Sequence, residues 1–94
     1  MKLRWLRLAL NDLDEIAVFI NRENPEAAKT TVNLLWKSSK ILIKHPNAGR
    51  PGRVPNTREL VISGSKFILP YRIKNNEIHI LRVLHTARNW LKKI

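Results

Sequence analysis

After a short alternating segment at its start, this chain changes the spacing of its apolar residues near residue 57, from the period of a helix to the period of a strand. In the first half, apolar side chains recur three or four positions apart, at Leu10, Leu13, Ala17 and Ile20. In the second half they recur at every second position, at Phe67, Leu69, Tyr71 and Ile73. The first pattern predicts an amphipathic helix over about residues 8–22, and the second predicts strands. A chain with one such change is predicted to fold as an α+β domain.

The first half also contains a short strand and a second helix. Alternation around Leu3 and Trp5 predicts the strand over residues 2–6. Asn24 is a good N-cap for a helix that begins at Pro25, and Pro46 disfavours helical geometry just before it, so this helix is predicted to end near His45. Its predicted inner stripe consists of Ala28, Val32, Leu35, Ser39 and Leu42. The short break between the helices predicts an antiparallel hairpin.

The second half is predicted to form a meander. Gly64 and Ser65 indicate one turn, and Asn75-Asn76 indicates a two-residue hairpin turn, since asparagine tolerates positive φ. The last strand is predicted over residues 77–85. Pro70 cannot donate a ladder hydrogen bond, so we expect a local bulge there. The predicted architecture is β-α-α-β-β-β: an N-terminal strand and a two-helix hairpin packed on a mostly antiparallel sheet of about four strands.

Length and charge limit the classes of function. Ninety-four residues predict a single domain over residues 1–94. The 18 Lys and Arg residues outnumber the 7 Asp and Glu residues, giving a formal net charge of +11, which indicates an acidic partner such as nucleic acid, an anionic membrane face or an acidic protein. The chain has no cysteine, which excludes disulfides and thiolate chemistry. Charged residues interrupt the apolar N-terminal run, so we expect no signal peptide or membrane span and a cytoplasmic protein.

Most of the excess positive charge belongs to the second half, where residues 48–94 carry 10 basic and 2 acidic side chains. A loop of residues 49–60, GRPGRVPNTREL, contributes three of these arginines at the start of a predicted strand. We predict a basic target-binding surface on one concave face, and its predicted members are Arg50, Arg53, Arg58, Arg82 and Arg88. The alternative is that the loop is a solvated turn in which Arg58 pairs with Glu59 or Glu77.

The remaining polar and aromatic residues give weaker indications. His45 and His79 have no spacing typical of metal ligands, so we predict neither a metal site nor a cofactor. Trp5 and Trp36 are predicted to fill the core or a groove. Trp90, Leu91 and Ile94 lie in a basic tail beyond the last strand, and we expect them to dock on the domain or on a partner protein.

Several segments resemble the RelE/ParE superfamily of toxins from bacterial toxin–antitoxin modules: NPEAA, HPNAGRPG, RVPNTREL, KFILPYRI and EIHILRVLHTARNW. The order and spacing of these segments carry the resemblance over nearly the full chain. It implies a microbial RNase-type core, growth arrest by the free toxin, and a dedicated antitoxin that neutralises it in a hetero-oligomer. ParE-type members poison DNA gyrase, whereas RelE-type members cleave mRNA on the ribosome.

One position bears on this division of mechanism. RelE-type toxins commonly carry an arginine on the third strand, three residues before a tyrosine, and Ile68 occupies that place ahead of Tyr71. ParE-type members are apolar there, so the resemblance favours a gyrase inhibitor with no catalytic residues of its own. A ribosome-dependent ribonuclease stays open as an alternative, with Arg82, His85 and Arg88 as its candidate catalytic residues. A basic binding module without toxicity is the third possibility.

Overall fold

The computed structural model describes residues 1–86 of the chain. Its elements in chain order are β1 (Lys2–Trp5), α1 (Arg7–Asn21), α2 (Pro25–Ser39), α3 (Ile41–Lys44), β2 (Arg50–Pro51), β3 (Arg58–Val61), β4 (Phe67–Lys74), β5 (Glu77–Ile80) and β6 (Leu84–His85). The predicted α+β class and the predicted helical hairpin on a sheet are confirmed. None of the helices described over residues 1–86 is long and apolar enough to cross a membrane.

The sheet has six strands rather than the predicted four. Their order is β1-β5-β4-β3-β2, and β6 pairs with β4 beyond the end of β5. β1 runs parallel to β5, and every other pair is antiparallel. The count was too low for two reasons. Arg50 and Pro51, predicted as loop, pair with β3 as an edge strand, and the predicted last strand is split into β5 and β6.

Pro70 explains the split. Leu81 N–H donates to the Pro70 carbonyl at 2.9 Å, but Pro70 has no N–H to return the bond. The ladder is interrupted at this point. The segment paired with β4 advances four residues, from Ile80 to Leu84, while β4 advances three, from Tyr71 to Ile68. One extra residue on one side of an antiparallel pair is a β-bulge, so the predicted bulge is confirmed. We call residues 81–83 the bulge segment.

The turns and caps follow the sequence closely. Asn24 Oδ1 accepts a hydrogen bond from Ala27 N–H at 3.1 Å, which confirms the predicted N-cap. Asn75 and Asn76 have φ of 53° and 60°, the two left-handed residues that the hairpin turn requires. The second helix pauses at Lys40, where α2 ends and the single-turn α3 begins, and α3 ends before His45 as predicted.

All three helices cover the same face of the sheet. The buried core joins residues from the helices to alternate residues of β4 and β5, and it also includes Ile62 after β3 and Val83 in the bulge segment. Its members are Ala9, Leu35, Leu42, Ile62, Leu69, Tyr71, Ile78, Ile80 and Val83. The predicted stripe of α2 is largely confirmed, since Ala28, Leu35 and Ser39 are buried. The predicted stripe of α1 was rotated. Ala9, Leu13 and Ile16 face the core, whereas Leu10 is 49% exposed.

Candidate functional site

Arg50 and Arg58 of the 49–60 loop make specific contacts. Arg50 donates from Nε to Glu59 Oε1 at 3.1 Å, and its Nη2 lies 3.1 Å from the same oxygen. Arg58 Nη1 donates to the Gly49 carbonyl at 2.6 Å. Arg53 is exposed in the turn between β2 and β3. The alternative in which Arg58 pairs with Glu59 or Glu77 is not found; Arg50 pairs with Glu59, which is only 2% exposed.

The strand register separates these arginines. Arg58 pairs with Tyr71, whose side chain lies in the core, so Arg58 projects on the helix side of the sheet. Arg50 pairs with Glu59, one position along β3, so it projects on the other side. We call this other side, which faces away from the three helices, the far face. The expectation that all the arginines share one face is therefore not met by Arg50 and Arg58.

The loop is fixed to the sheet through Tyr71. Its hydroxyl donates to the Pro46 carbonyl at 2.6 Å and accepts from Gly49 N–H at 2.9 Å. A Cβ on Gly49 would lie 2.6 Å from the Tyr71 ring and 2.9 Å from the Glu59 carbonyl, which only glycine avoids. Burial raises the pKa of the Tyr71 phenol, an effect opposed by the hydrogen bond from Gly49 and by the charge of Arg58.

Arg82 lies in the bulge segment and pairs with α1. Its Nε and Nη2 donate to the two carboxylate oxygens of Asp12 at 2.7 and 2.9 Å, a bidentate arrangement. Asp12 Oδ2 also accepts from Val83 N–H at 3.0 Å. The Asp12 hydrogen bond raises the pKa of Arg82, which stays charged. This predicted site residue therefore ties the bulge segment to the first helix.

His85 and α1 border an open groove, which we call the α1 groove. His85 meets the Phe67 ring edge-on, with the ring centroids 5.5 Å apart. The groove between α1 and the β4–β6 pair has a volume of about 800 Å³, and its apolar lining includes Ile16, Phe19, Ile20, Phe67 and Val83. Phe19 is 71% exposed. The helical pattern did not predict this groove, because it assigned Ile20 to the inner stripe of α1 and left Ile16 and Phe19 without a role.

The far face contains a polar network that was also missed. Arg72 Nε donates to His79 Nδ1 at 3.0 Å, His79 Nε2 lies 2.9 Å from Glu77 Oε1, and Arg4 lies 3.6 Å from that oxygen. Arginine only donates, so Nδ1 of His79 is the acceptor and Nε2 carries the proton that is given to Glu77. The hydrogen bond from His79 lowers the pKa of Glu77. The Asn75-Asn76 turn could have revealed this network, because it sets Arg72 opposite His79.

Ile68 lies on the same far face in apolar surroundings. It is 4% exposed and pairs with Val61 on one side and Leu84 on the other. Arg88, Trp90, Leu91 and Ile94, which complete the predicted site residues, lie outside the described residues. Over residues 1–86, no three His, Asp or Glu side chains come together as metal ligands would.

Residues 3–90 match the family model described as the ParE toxin of the type II toxin–antitoxin system parDE. Y4kP of Sinorhizobium fredii is 39% identical over 89 residues, covering 95% of this chain and 92% of Y4kP. Toxin RelE2 of Caulobacter vibrioides is 31% identical over 84 residues, covering 89% of this chain and 93% of RelE2.

Two solved structures share the fold. A chain of the chromosomal ParDE system from P. aeruginosa superposes with a TM-score of 0.85 at 36% identity, covering 93% of this chain and 97% of that one. A chain of the RelBE2 toxin–antitoxin complex from Mycobacterium tuberculosis superposes with a TM-score of 0.59 at 24% identity, covering 93% of this chain and 92% of that one. The sequence match over nearly the whole chain and the shared architecture lead to the same assignment: the chain belongs to the ParE toxin family of type II toxin–antitoxin systems.

Proposed function

We propose that this toxin arrests growth in the cytoplasm by binding DNA gyrase and has no nuclease activity of its own. The observation that carries the proposal is the environment of Ile68, at the place where ribonuclease-type relatives are expected to carry a phosphate-binding arginine. Ile68 is buried between Val61 and Leu84 on the far face. An unpaired cation in such apolar surroundings would lose its solvation without compensation.

Two arginines that could replace the missing cation, Arg72 and Arg82, are engaged elsewhere. Arg72 alternates onto the same face as Ile68, but four residues of extended strand separate them by about 13 Å. Its Nε is bound to His79. Arg82 holds Asp12 through two hydrogen bonds. Losing one preorganised donor from a site that stabilises developing charge costs about two to three orders of magnitude in rate. The described residues thus favour a protein that binds its target over one that cleaves RNA.

We assign the gyrase contact to the loop between β2 and β3, around Arg50 and Arg53. Both side chains are exposed, and the Arg50 side chain keeps 56% of its surface open while it contacts Glu59. Arg58 and Arg82 stabilise the fold in this account, because their guanidinium groups bind Gly49 and Asp12. Arg88 belongs to the predicted surface and lies beyond the described residues.

We infer that a cognate antitoxin neutralises the toxin by occupying the α1 groove. The support is the exposed Phe19 above an apolar lining, in a groove whose rim carries Asp14, Glu15 and Arg22. An amphipathic segment that folds on binding would bury this apolar surface and pair with the charged rim. The family model and the ParDE neighbour belong to toxin–antitoxin systems, which supports such a partner.

The alternative is a ribosome-dependent ribonuclease. It is favoured by the 31% identity to RelE2 and by the position of His85 at the border of the α1 groove. A paired assay separates the two functions. The purified toxin and its His85→Ala variant are tested for supercoiling by gyrase and for mRNA cleavage on translating ribosomes. We expect both proteins to inhibit supercoiling and to leave the mRNA uncut. Codon-phased cuts that disappear in His85→Ala, with supercoiling unaffected, would establish the ribonuclease instead.

A further inference from the structure

A second basic surface lies on the far face, where β1, β5 and β4 lie side by side. The register aligns its side chains in two rows across the strands: Lys2, Glu77 and Lys74 in one row, and Arg4, His79 and Arg72 in the other. We call these six residues the three-strand patch. None of its four cations belongs to the basic surface predicted from the sequence.

Strand geometry fixes the layout of the patch. Two residues along a strand span about 7 Å, and two strand spacings span about 10 Å, so the four cations mark the corners of a rectangle of about that size. Glu77 and His79 fill its centre. Arg4 is held at its corner by the ion pair with Glu77, and Arg72 is held by its hydrogen bond to His79. The two arginines of the patch are therefore preorganised for binding.

The patch keeps an excess of positive charge. Its four cations face one carboxylate, Glu77, because His79 is neutral in the tautomer that Arg72 imposes. The Arg4 side chain is 60% exposed. Lys2 and Lys74 are exposed, and within residues 1–86 neither has a carboxylate at ion-pair distance. The one other acid on this face, Glu59, is almost fully buried beneath Arg50.

We propose that the three-strand patch binds the phosphate backbone of double-stranded DNA without reading its sequence. The patch has no exposed apolar side chain, which a peptide would need as an anchor and a membrane would need for insertion. B-form DNA carries one charge per about 1.7 Å of axis, so a rectangle of this size faces several phosphates at once. Contacts to phosphates position a protein on a duplex and carry no sequence information.

This inference rests in part on the proposed function, since a toxin bound to gyrase meets the duplex that gyrase holds. The patch lies on β1, β5 and β4, whereas the β2–β3 loop lies at the opposite edge of the sheet. One toxin molecule can therefore contact gyrase and DNA at the same time. The contact with DNA would add to the contact with gyrase and would be measurable without gyrase. The two proposals can therefore fail separately.

The test measures binding of the full-length toxin to a fluorescent duplex of arbitrary sequence over a range of salt concentrations. The variant Lys2→Gln/Lys74→Gln removes two corners of the patch. The control Lys29→Gln/Lys37→Gln removes the same charge from α2, on the opposite side of the sheet. We expect the patch variant to reduce the slope of log K against log salt by about 2, since each phosphate contact contributes about 0.9, and to weaken binding at least about tenfold. The control should stay within about twofold of the wild type.

A third variant, Glu77→Gln, should tighten duplex binding, because it removes the single acid and still accepts the hydrogen bond from His79. The proposal is overturned if the wild type does not bind the duplex at low salt. It is also overturned if the control weakens binding as much as the patch variant, or if the patch variant impairs only binding of an acidic antitoxin. Supercoiling inhibition that survives loss of duplex binding leaves the gyrase proposal intact. Duplex binding without inhibition of gyrase would overturn the gyrase proposal and leave the DNA-binding proposal in place.

Discussion

Asp12 serves three donors on the irregular segment between β5 and β6. Its carboxylate accepts from Arg82 Nε, Arg82 Nη2 and Val83 N–H, all within 3.0 Å. A bulge leaves backbone groups without ladder partners. Here the Asp12 side chain, from α1, accepts the hydrogen bond of one such group, Val83 N–H. The Asp12 and Arg82 side chains are 13% and 17% exposed, so their contacts are largely shielded from water.

We predict that Asp12→Ala lowers the free energy of unfolding by about 2–3 kcal/mol, because it leaves a half-buried guanidinium and an amide without their acceptor. Urea denaturation measures the change. Asp14→Ala removes an exposed carboxylate from the same helix and should change stability by less than about 0.5 kcal/mol. Equal, small effects of both variants would show that the Asp12 contacts do not stabilise the bulge segment.

Tyr71 is the single tyrosine in the chain, so its ionisation can be followed directly. Burial raises the pKa of its phenol above the ordinary value of 10.0. The folded protein therefore holds this proton more tightly than the unfolded chain. The corresponding stability is fully present below pH 10 and is lost as the pH rises through the raised value.

We expect the ultraviolet titration of the phenolate to have its midpoint above that of the urea-unfolded chain. Arg58→Gln should shift the midpoint further up, because it removes a charge that favours the phenolate. Arg7→Gln, in the first turn of α1, is the control and should leave the midpoint unchanged. A midpoint equal to that of the unfolded chain would contradict the buried position of Tyr71.

At the scale of elements, the hairpin turns and helix limits could be predicted because each depends on local chemistry. Asn24 caps α2 through a hydrogen bond with Ala27, three residues away, and Asn75-Asn76 adopts the positive φ that asparagine tolerates. The orientation of α1 depends on which of its apolar sides meets the sheet. Leu10 and Ala9 are adjacent in sequence, and only the packed structure distinguishes them.

The candidate site was predictable only in part, for the same reason. The arginines of the 49–60 loop were identified from composition, but their partners were not. Arg82 and Asp12 are 70 positions apart, and no local pattern signals such a pair. The short edge strand β2 was missed because two residues carry no periodicity. The network around His79 could have been predicted from the hairpin register, since Arg72 stands opposite it.

The α1 groove gives a prediction about neutralisation. If antitoxin binding buries Phe19, Phe19→Ser should weaken antitoxin affinity by at least about tenfold, because burying a phenylalanine side chain contributes about 1.5–3 kcal/mol. Leu10→Ser is the matched control, since Leu10 is 49% exposed on α1 and does not line the groove. Isothermal titration with purified antitoxin measures both. A larger loss for Leu10→Ser than for Phe19→Ser would place the antitoxin on another side of the helix.

At the scale of the whole molecule, the arginines of the described sheet lie on both of its faces. Arg58 and Arg82 contact Gly49 and Asp12, where they hold a loop and the bulge segment in place. The far face carries the three-strand patch and Arg50, and the exposed cations among them are Lys2, Arg4, Lys74 and Arg50. We propose that the first group stabilises the fold and that the second group binds an acidic partner.

We propose that the toxin inhibits gyrase by binding it, without chemistry. A binder inhibits in proportion to its molar ratio to the target, whereas a catalyst acts far below equimolar amounts. The decisive measurement is gyrase supercoiling activity as purified toxin is titrated, in a reaction free of RNA and ribosomes. We predict that activity falls as the toxin approaches equimolar amounts and returns when antitoxin is added. Supercoiling that persists in a large excess of toxin, while trace amounts cut mRNA on ribosomes, would contradict the claim.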